Sequence, residues 1–336
     1  MLKIVVKDEQ LSPTASVQDI RNLNSAGDNL VFGFTSSADA LAAMPVAKQF
    51  GMAVIAAHAS ATELRTGNWV PNFAGIAVSD YLSANAAPDF LKKDFPGVTT
   101  WNVFAYDYLT GHEGWNNFVK SMKAVEPGFK TNKQIFIPQT ATDFTPYVTK
   151  ALNGLPASSA SNQGAYVFLF GSGEVDLFKQ GAPYNISKKY KVILTEGGGY
   201  EELANTLKTD TPNSWVGYDY SYLGFHTKVN SQFVKDFEAA NGGTPPDTWA
   251  EQSYESVLAY AAAIKKANSA VPSKVMAEFG GLSFQGPQGT VTLNAKTHQA
   301  FLPEVFTHFV PDPSVKQGWK EENADVIWPP VSAATP

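Results

Sequence analysis

What most constrains this chain is a phrase of elements that occurs twice. An apolar run at 29–34, a small polar loop Thr35-Ser36-Ser37, a helix with Leu41, Met44, Val46 and Phe50 facing inward, a stop at Gly51 and a second apolar run at 52–57 read as strand, loop, helix, strand. The stretch LVFGFTSSADALAAMPVAKQFGMAVIAAHAS is echoed by YVFLFGSGEVDLFKQGAPYNISKKYKVILTEGG, and VVKDEQLSPTASVQDIRNL by FIPQTATDFTPYVTKALNGL, in the same order. Unbroken apolar strands alternating with helices are the grammar of an open α/β sheet covered on both faces. Two such phrases predict two doubly wound (Rossmann-like) lobes rather than one large sheet. A chain of 336 residues, 44% hydrophobic, can supply a core to each. In sheets of this kind ligands sit beyond the carboxyl ends of the strands, which directs attention to the loops at 35–37 and 58–60.

Elsewhere the pattern predicts a strand at 2–6 and a helix that starts at Ser12-Pro13-Thr14 and runs to about residue 23. A loop-rich zone separates the halves. Strands follow at 101–106, 134–137, 166–170, 191–194 and 215–220. Residues 227–240 form a helix stopped by Asn241-Gly242-Gly243, and 247–267 form another, with Trp249, Tyr254, Leu258, Ala261 and Ile264 at helical spacing. Turn chemistry between Phe284 and Gly289 leads into strands at 290–293 and 302–310, and the Pro-rich stretch after Pro311 reads as a surface extension.

Composition removes several function classes. The formal charge is −6, which offers no phosphate-neutralising surface for nucleic acid. Arg21 and Arg65 are the only arginines, so no site can rest on several bidentate guanidinium clamps. With no cysteine there is no disulfide, thiolate metal site or thiol nucleophile, which fits cytoplasm and periplasm equally. No apolar run approaches the ~20 residues of a membrane span, and the start does not read as a signal peptide.

The catalytic motifs are partial at best. Glu196-Gly197-Gly198-Gly199 follows a strand but lacks the spacing of a phosphate-binding loop. Gly171-Ser172-Gly173 has Phe170 where a nucleophile elbow needs glycine. Five scattered histidines form no metal motif, and only His58, at a strand end beside Ser60, is placed to touch a ligand. What remains is a set of hydroxyls at loop and strand ends, Ser36, Ser37, Ser60, Thr110 and Ser172, joined by Tyr106, Tyr108, Tyr200, Tyr218 and Tyr220. Oriented N–H groups and hydroxyls can hold a carboxylate without arginine. This is binding chemistry, with no base, nucleophile and orienting group in recognisable array. The plainer alternative for Ser36 and Ser37 is that they only cap the helix that follows.

The order of elements and several words resemble the type I periplasmic binding proteins, in particular the leucine/isoleucine/valine-binding branch of ABC-transporter receptors. The matching segments are VVKDEQLSPTASVQDIRNL, LVFGFTSSADALAAMPVAKQFGMAVIAAHASATELR, DFTPYVTKAL, FVKDFEAANGGTPPDTWAEQSYESVLAYAAAIKKA and GPQGTVTLNAKTH, spread over residues 2–310. The resemblance implies two lobes joined by a three-crossing hinge that closes on a small ligand. It places lobe one at 1–97 plus 226–286 and lobe two at 98–225 plus 287–336. A ligand carboxylate would then be held at Ser37 and Ser60, with His58 giving a backbone contact, and an ammonium at Glu196.

There are departures from the family pattern. Thr110 stands where the family has a tyrosine, with Tyr106 and Tyr108 nearby, and Ser172 stands where an aromatic is usual. Aromatic acids, amides and urea-type ligands therefore join amino acids as candidates. Met1 enters at what resembles the second strand, so the first strand-helix unit of lobe one is missing from the pattern and an unpaired slot is expected in that sheet. The resemblance implies an extracytoplasmic, monomeric solute receptor that delivers an amino-acid-like or carboxylate ligand to a membrane permease, without cofactor, metal or catalysis. A ligand-sensing regulator on the same lobes is the alternative.

Overall fold

The structure, a computed structural model, describes residues 3–155, 162–196 and 200–328. The first unit begins with α1 (Pro13–Ala26), whose N-cap Ser12 accepts the Ala15 N–H, with Pro13 in the first turn and Gly27 left-handed at the far end. Then come β1 (Leu30–Gly33), α2 (Ser37–Gln49), β2 (Ala53–Ala56), β3 (Phe73–Gly75) and α3 (Asp80–Asp94). The second series is β4 (Thr100–Tyr106), α4 (Leu109–Val125), β5 (Lys130–Ile137), α5 (Thr145–Leu152), β6 (Gln163–Phe168), α6 (Ser172–Gly181), β7 (Val192–Glu196), α7 (Tyr200–Leu207) and β8 (Ser214–Tyr218). The chain returns through α8 (Lys228–Ala240), α9 (Thr248–Ala267), α10 (Pro272–Met276) and the hairpin β9 (Ser283–Gly286) and β10 (Gly289–Thr292). It ends on β11 (Glu304–Pro311) and β12 (Trp319–Ile327).

These strands make a small parallel sheet, β1-β2-β3, and a large one, β12-β11-β8-β7-β6-β4-β5. In the large sheet β4 to β8 are parallel, and β11 and β12 add an antiparallel edge. Alternate residues along β4 go to opposite faces. Phe104 and Tyr106 join the core under α5, α6 and α7, and Trp101, Val103 and Ala105 join the one under α3 and α4. The small sheet is layered likewise: Val54 and Ala56 pack with α1 and α2, while Ala53 and Ile55 pack with α9, α10 and the hairpin. Two α/β lobes are therefore present, and the chain passes between them at 76–79, at 219–227 and again before β11.

Four expectations need correction. The zone expected to be loop-rich carries α3, whose Ala86, Ala87, Phe90 and Leu91 are core residues of the large lobe, so the first crossing precedes residue 80 rather than falling at 97. The hairpin and Leu293, Ala300 and Leu302 lie in the small lobe's core, which moves the last crossing past 286. The stretch after Pro311 is no simple extension, because β12 pairs with β11 and buries Trp319. Finally, residues 3–7 form no strand, and Ile4 and Val6 are 63% and 85% exposed, although both are of strand-forming type.

The last point belongs with β1, which pairs with β2 and, among the described residues, with no other strand. Between its open edge and residues 3–9 lies a cavity of about 700 Å3, floored by Ile20 and Leu23 of α1 and roofed by Tyr260 and Ile264 of α9. The carbonyls of Asn29 and Gly33 turn toward β2, where they accept from Ala53 and Ala57. By the alternation of a parallel ladder, Phe32 presents its N–H to the open side. Hydrogen exchange is expected to be about tenfold or more faster at Phe32 than at Ile55, which is inside the sheet. Equal protection would mean that the β1 edge is covered.

Candidate functional site

The loop after β1 is held under tension. Phe34 is buried with φ +68°, a left-handed conformation unusual for a bulky residue, and the next N–H, on Thr35, donates to Glu9 Oε1 at 2.7 Å. This bend sets Ser36 and Ser37 at the start of α2. Neither is spent on capping: Ser36, the N-cap, makes no side-chain cap bond, and Ser37 Oγ accepts from the Ala61 N–H at 3.2 Å. Both are buried. Ser37 accepts at its oxygen, so its own proton is still free to donate.

The loop after β2 is fixed from below by Arg65, which is 3% exposed. Its Nη2 and Nη1 donate to the carbonyls of Ala59 and Ala61 at 2.7 and 2.8 Å, and its Nε donates to Gln299 Oε1. Burial lowers its pKa to about 10, opposed by the negative charge of Asp80. Arg65 is therefore structural, and it turns the loop's carbonyls away from the cleft. Thr62 N–H, by contrast, donates at 3.1 Å to Glu113 Oε2, a carboxylate supplied by α4 of the large lobe.

His58 lies in a chain of polar contacts that tie both inner crossings to α9. Gln252 Nε2 donates to Asp219 at 2.9 and 3.0 Å, and Asp219 Oδ2 accepts the Val78 N–H at 3.1 Å. The amide oxygen of Gln252 then faces His58 Nδ1 at 2.6 Å, which assigns the proton to Nδ1. Nε2 is left to accept from Ser253 Oγ at 3.4 Å. Burial lowers the His58 pKa, so the neutral ring is the stable form. Its carbonyl accepts from Tyr218 Oη at 3.5 Å, a contact that joins the lobes.

His58 and Ser60 thus meet the large lobe through Tyr218 Oη and the Asp80 N–H, Ser37 lies next to them through the Ala61 N–H, and Ser36 precedes Ser37 as the N-cap of α2. Thr110 is buried at the start of α4, beside Tyr108, whose phenol pKa burial raises. Two other expected residues form a separate group: the Tyr106 ring packs against Phe170, its Oη donates to the Phe170 carbonyl at 3.3 Å, and Ser172 is exposed at the start of α6. Gly173 must lack a side chain there, because a Cβ would fall 1.9 Å from Tyr106 Oη. Glu196 is buried within the large lobe, where Oε2 accepts from Ser83 Oγ at 2.6 Å, and the same hydroxyl lies 3.0 Å from Glu304. The glycines after it, Gly197, Gly198 and Gly199, lie outside the described residues.

Sequence reading missed Asp80, Glu113, Asp219 and Gln252. Asp80 and Asp219 are helix-start and crossing residues whose value depends on where the lobes meet, and no local pattern reports that. No group of three or more His, Cys, Asp or Glu placed to hold a metal occurs among the described residues.

A family model described as periplasmic binding protein matches residues 1–308. A search of curated proteins returns no match. Among solved structures, an amino acid ABC transporter substrate-binding protein from Pseudomonas fluorescens is 19% identical, with a TM-score of 0.81 over 97% of this chain and 86% of that one. A solute-binding protein from Rhodopseudomonas palustris, in complex with 3,4-dihydroxybenzoic acid, is 19% identical, with a TM-score of 0.81 over 98% and 88%. A leucine-binding protein from Thermotoga maritima is 17% identical, with a TM-score of 0.80 over 96% and 87%. At these identities the likeness is one of fold.

Proposed function

The chain belongs to the periplasmic binding protein family of ABC transporters, extracytoplasmic receptors that bind small molecules and work with membrane permeases. From that premise we propose that its cleft captures a small carboxylate by lobe closure and presents it to a permease, with no chemical step. One observation carries the reading: the strand-end loop of the small lobe already holds a carboxylate from the large lobe, through Thr62 N–H and Glu113. Beside it stand the Ser37 hydroxyl, with its proton free, and the amino end of α2, both favourable to an anion. In this reading Ser36, Ser37 and Ser60 hold the ligand carboxylate and Glu113 yields its place. Thr110, Tyr108 and Tyr218 close over the rest, while Tyr106 and Ser172 stand apart.

Neighbours of the same fold are described as binding a dihydroxybenzoic acid and leucine. Aromatic acids and amino acids are accordingly the two ligand classes to test. The protein acts outside the cytoplasm as a monomer, and its acidic charge keeps it from nucleic acid. No helix among the described residues is long and apolar enough to cross a membrane.

A thermal-shift panel of benzoate, 4-hydroxybenzoate, leucine and phenylalanine tests the reading. A ligand at a hundred times its dissociation constant adds about 2.7 kcal/mol and raises the melting temperature by several degrees. Ser37→Ala is expected to weaken binding roughly tenfold, the worth of one hydrogen bond to a charged group. No shift from any carboxylate, or full affinity in Ser37→Ala, contradicts the assignment.

A further inference from the structure

The alternation that turns Phe32 to the open side of β1 does the same for Leu30, so that edge presents N–H and carbonyl groups two residues apart. An edge of this kind is a template for another strand. Neighbouring strands lie about 4.8 Å apart and packed layers about 10 Å apart, so the groove of about 700 Å3 accommodates roughly 15 Å of strand, or four to five residues. This matches the four residues of β1.

The lining says what such a strand must carry. Ile20 and Leu23 lie on one face of the groove and Val257, Tyr260 and Ile264 on the other, so a strand between them is covered on both sides and must be apolar throughout. Its ends meet acids. Asp28 stands just before β1, and Glu9 lies beyond the other end, where it accepts from Thr35. Asp8 and Asp19 also line the groove, against only Lys3 and Lys7 of opposite sign. Ser16 lines it too, and together with Glu9 acts on the Asp39 carboxyl. Asp39 and Ser16 are 0% and 2% exposed, and both Asp39 oxygens and Ser16 Oγ are buried without a hydrogen-bond partner. Acceptors in that state are costly unless a donor reaches them.

We propose that the groove beside β1 is a strand-acceptor site, which takes an extended apolar segment of about five residues with basic flanks from another polypeptide. The run at 3–7 has strand-forming side chains, but it makes the far wall and continues into Glu9, which is tied to Thr35, so it bounds the slot rather than filling it. Ile4, Val5 and Val6 on that wall are exposed, as is Val271 between the lining residues Ala270 and Pro272, and an added strand would cover apolar surface there. Basic flanks answer the acids at both ends. The site stands apart from the carboxylate reading, because a surplus of acids repels an anion.

The test uses a labelled peptide of five apolar strand-forming residues between two lysines, blocked at both ends, with fluorescence anisotropy and amide hydrogen exchange as readouts. Two control peptides carry glutamates in place of the lysines or a proline at the centre. The lysine peptide is expected to bind at micromolar concentration and to slow exchange at Leu30 and Phe32 by tenfold or more. Both controls, and the lysine peptide with Val257→Lys, are expected to bind at least tenfold more weakly. The control peptides carry the test even where Val257→Lys fails to fold. No binding of the lysine peptide at millimolar concentration, equal binding of either control, or binding with unchanged exchange at Leu30 and Phe32 overturns the proposal. Protection of Phe32 in the protein alone, whether monomer or dimer by sedimentation, would show that this chain covers its own edge and overturns it as well.

Discussion

Arg65→Met is expected to cost the protein roughly 3–5 kcal/mol, the range for breaking a buried charged network from one side. The side chain is 3% exposed and bonds to the Ala59 and Ala61 carbonyls and to Gln299. Methionine fills similar space but donates nothing, leaving three buried acceptors without their donor at about 1–3 kcal/mol each before relaxation. Gln299 matters beyond that contact, because its Nε2 also donates to the Ala77 carbonyl at 2.8 Å, at the first crossing. The loss therefore reaches both the loop after β2 and the hinge. Arg65→Lys should not rescue it, since a single ammonium cannot span acceptors set out for a planar fork. Urea unfolding checks this: a midpoint within error of wild type for either variant would show that the guanidinium is not what shapes the loop.

The second large effect is a loss of stability as pH rises from about 6.5 to 8.5. Burial raises Asp80 to about 7 and Glu196 and Glu255 to about 8, and Glu251 and Glu304 also lie well above the ordinary glutamate value. A raised acid pKa means that the native state keeps a proton the unfolded chain has already released. Each such group costs stability as pH climbs from its unfolded value to its folded one, at about 1.4 kcal/mol per pH unit for each proton. Below pH 6.5 the buried histidines oppose the trend, because burial lowers the pKa of His58, His298 and His308 and the unfolded chain gains their protons first. The clean window is therefore the alkaline one. Melting temperature is expected to fall by several degrees across it, and Glu304→Gln, which removes one acid of the pair at Ser83, should flatten the slope. A flat or rising wild-type profile would contradict the protonated pairs.

Much of the fold was legible because strands buried on both faces must be apolar throughout: the runs at 101–106 and 215–220 needed no tertiary information to be read. The small lobe's β1 was equally clear, but the run at 2–6 was not. Its Ile4, Val5 and Val6 have strand character, and what they lack is a neighbour to pair with, a property of the assembled sheet. Helix α3 was hidden because its buried residues mix Asp80, Ser83, three alanines and Pro88 with Leu82, Phe90 and Leu91, so no strong apolar stripe marks it. Ser37 and His58 could be singled out from their places after strands. Glu196 was read toward the cleft by resemblance, and only the position of Ser83 shows where its Oε2 goes. Asp80 and Glu113 had no local signature, since each acquires its role from a loop in the other lobe.

The central claim is that a carboxylate binds between the lobes, although the groove beside β1 offers about 700 Å3 of room. A crystal structure with whichever panel acid gives the largest thermal shift tests it most directly. The account predicts the ligand carboxylate about 3 Å from Ser37 Oγ and the Thr62 N–H, with the Glu113 side chain displaced from that loop. Ligand seated in the groove beside β1, with the Thr62–Glu113 contact intact, would contradict it.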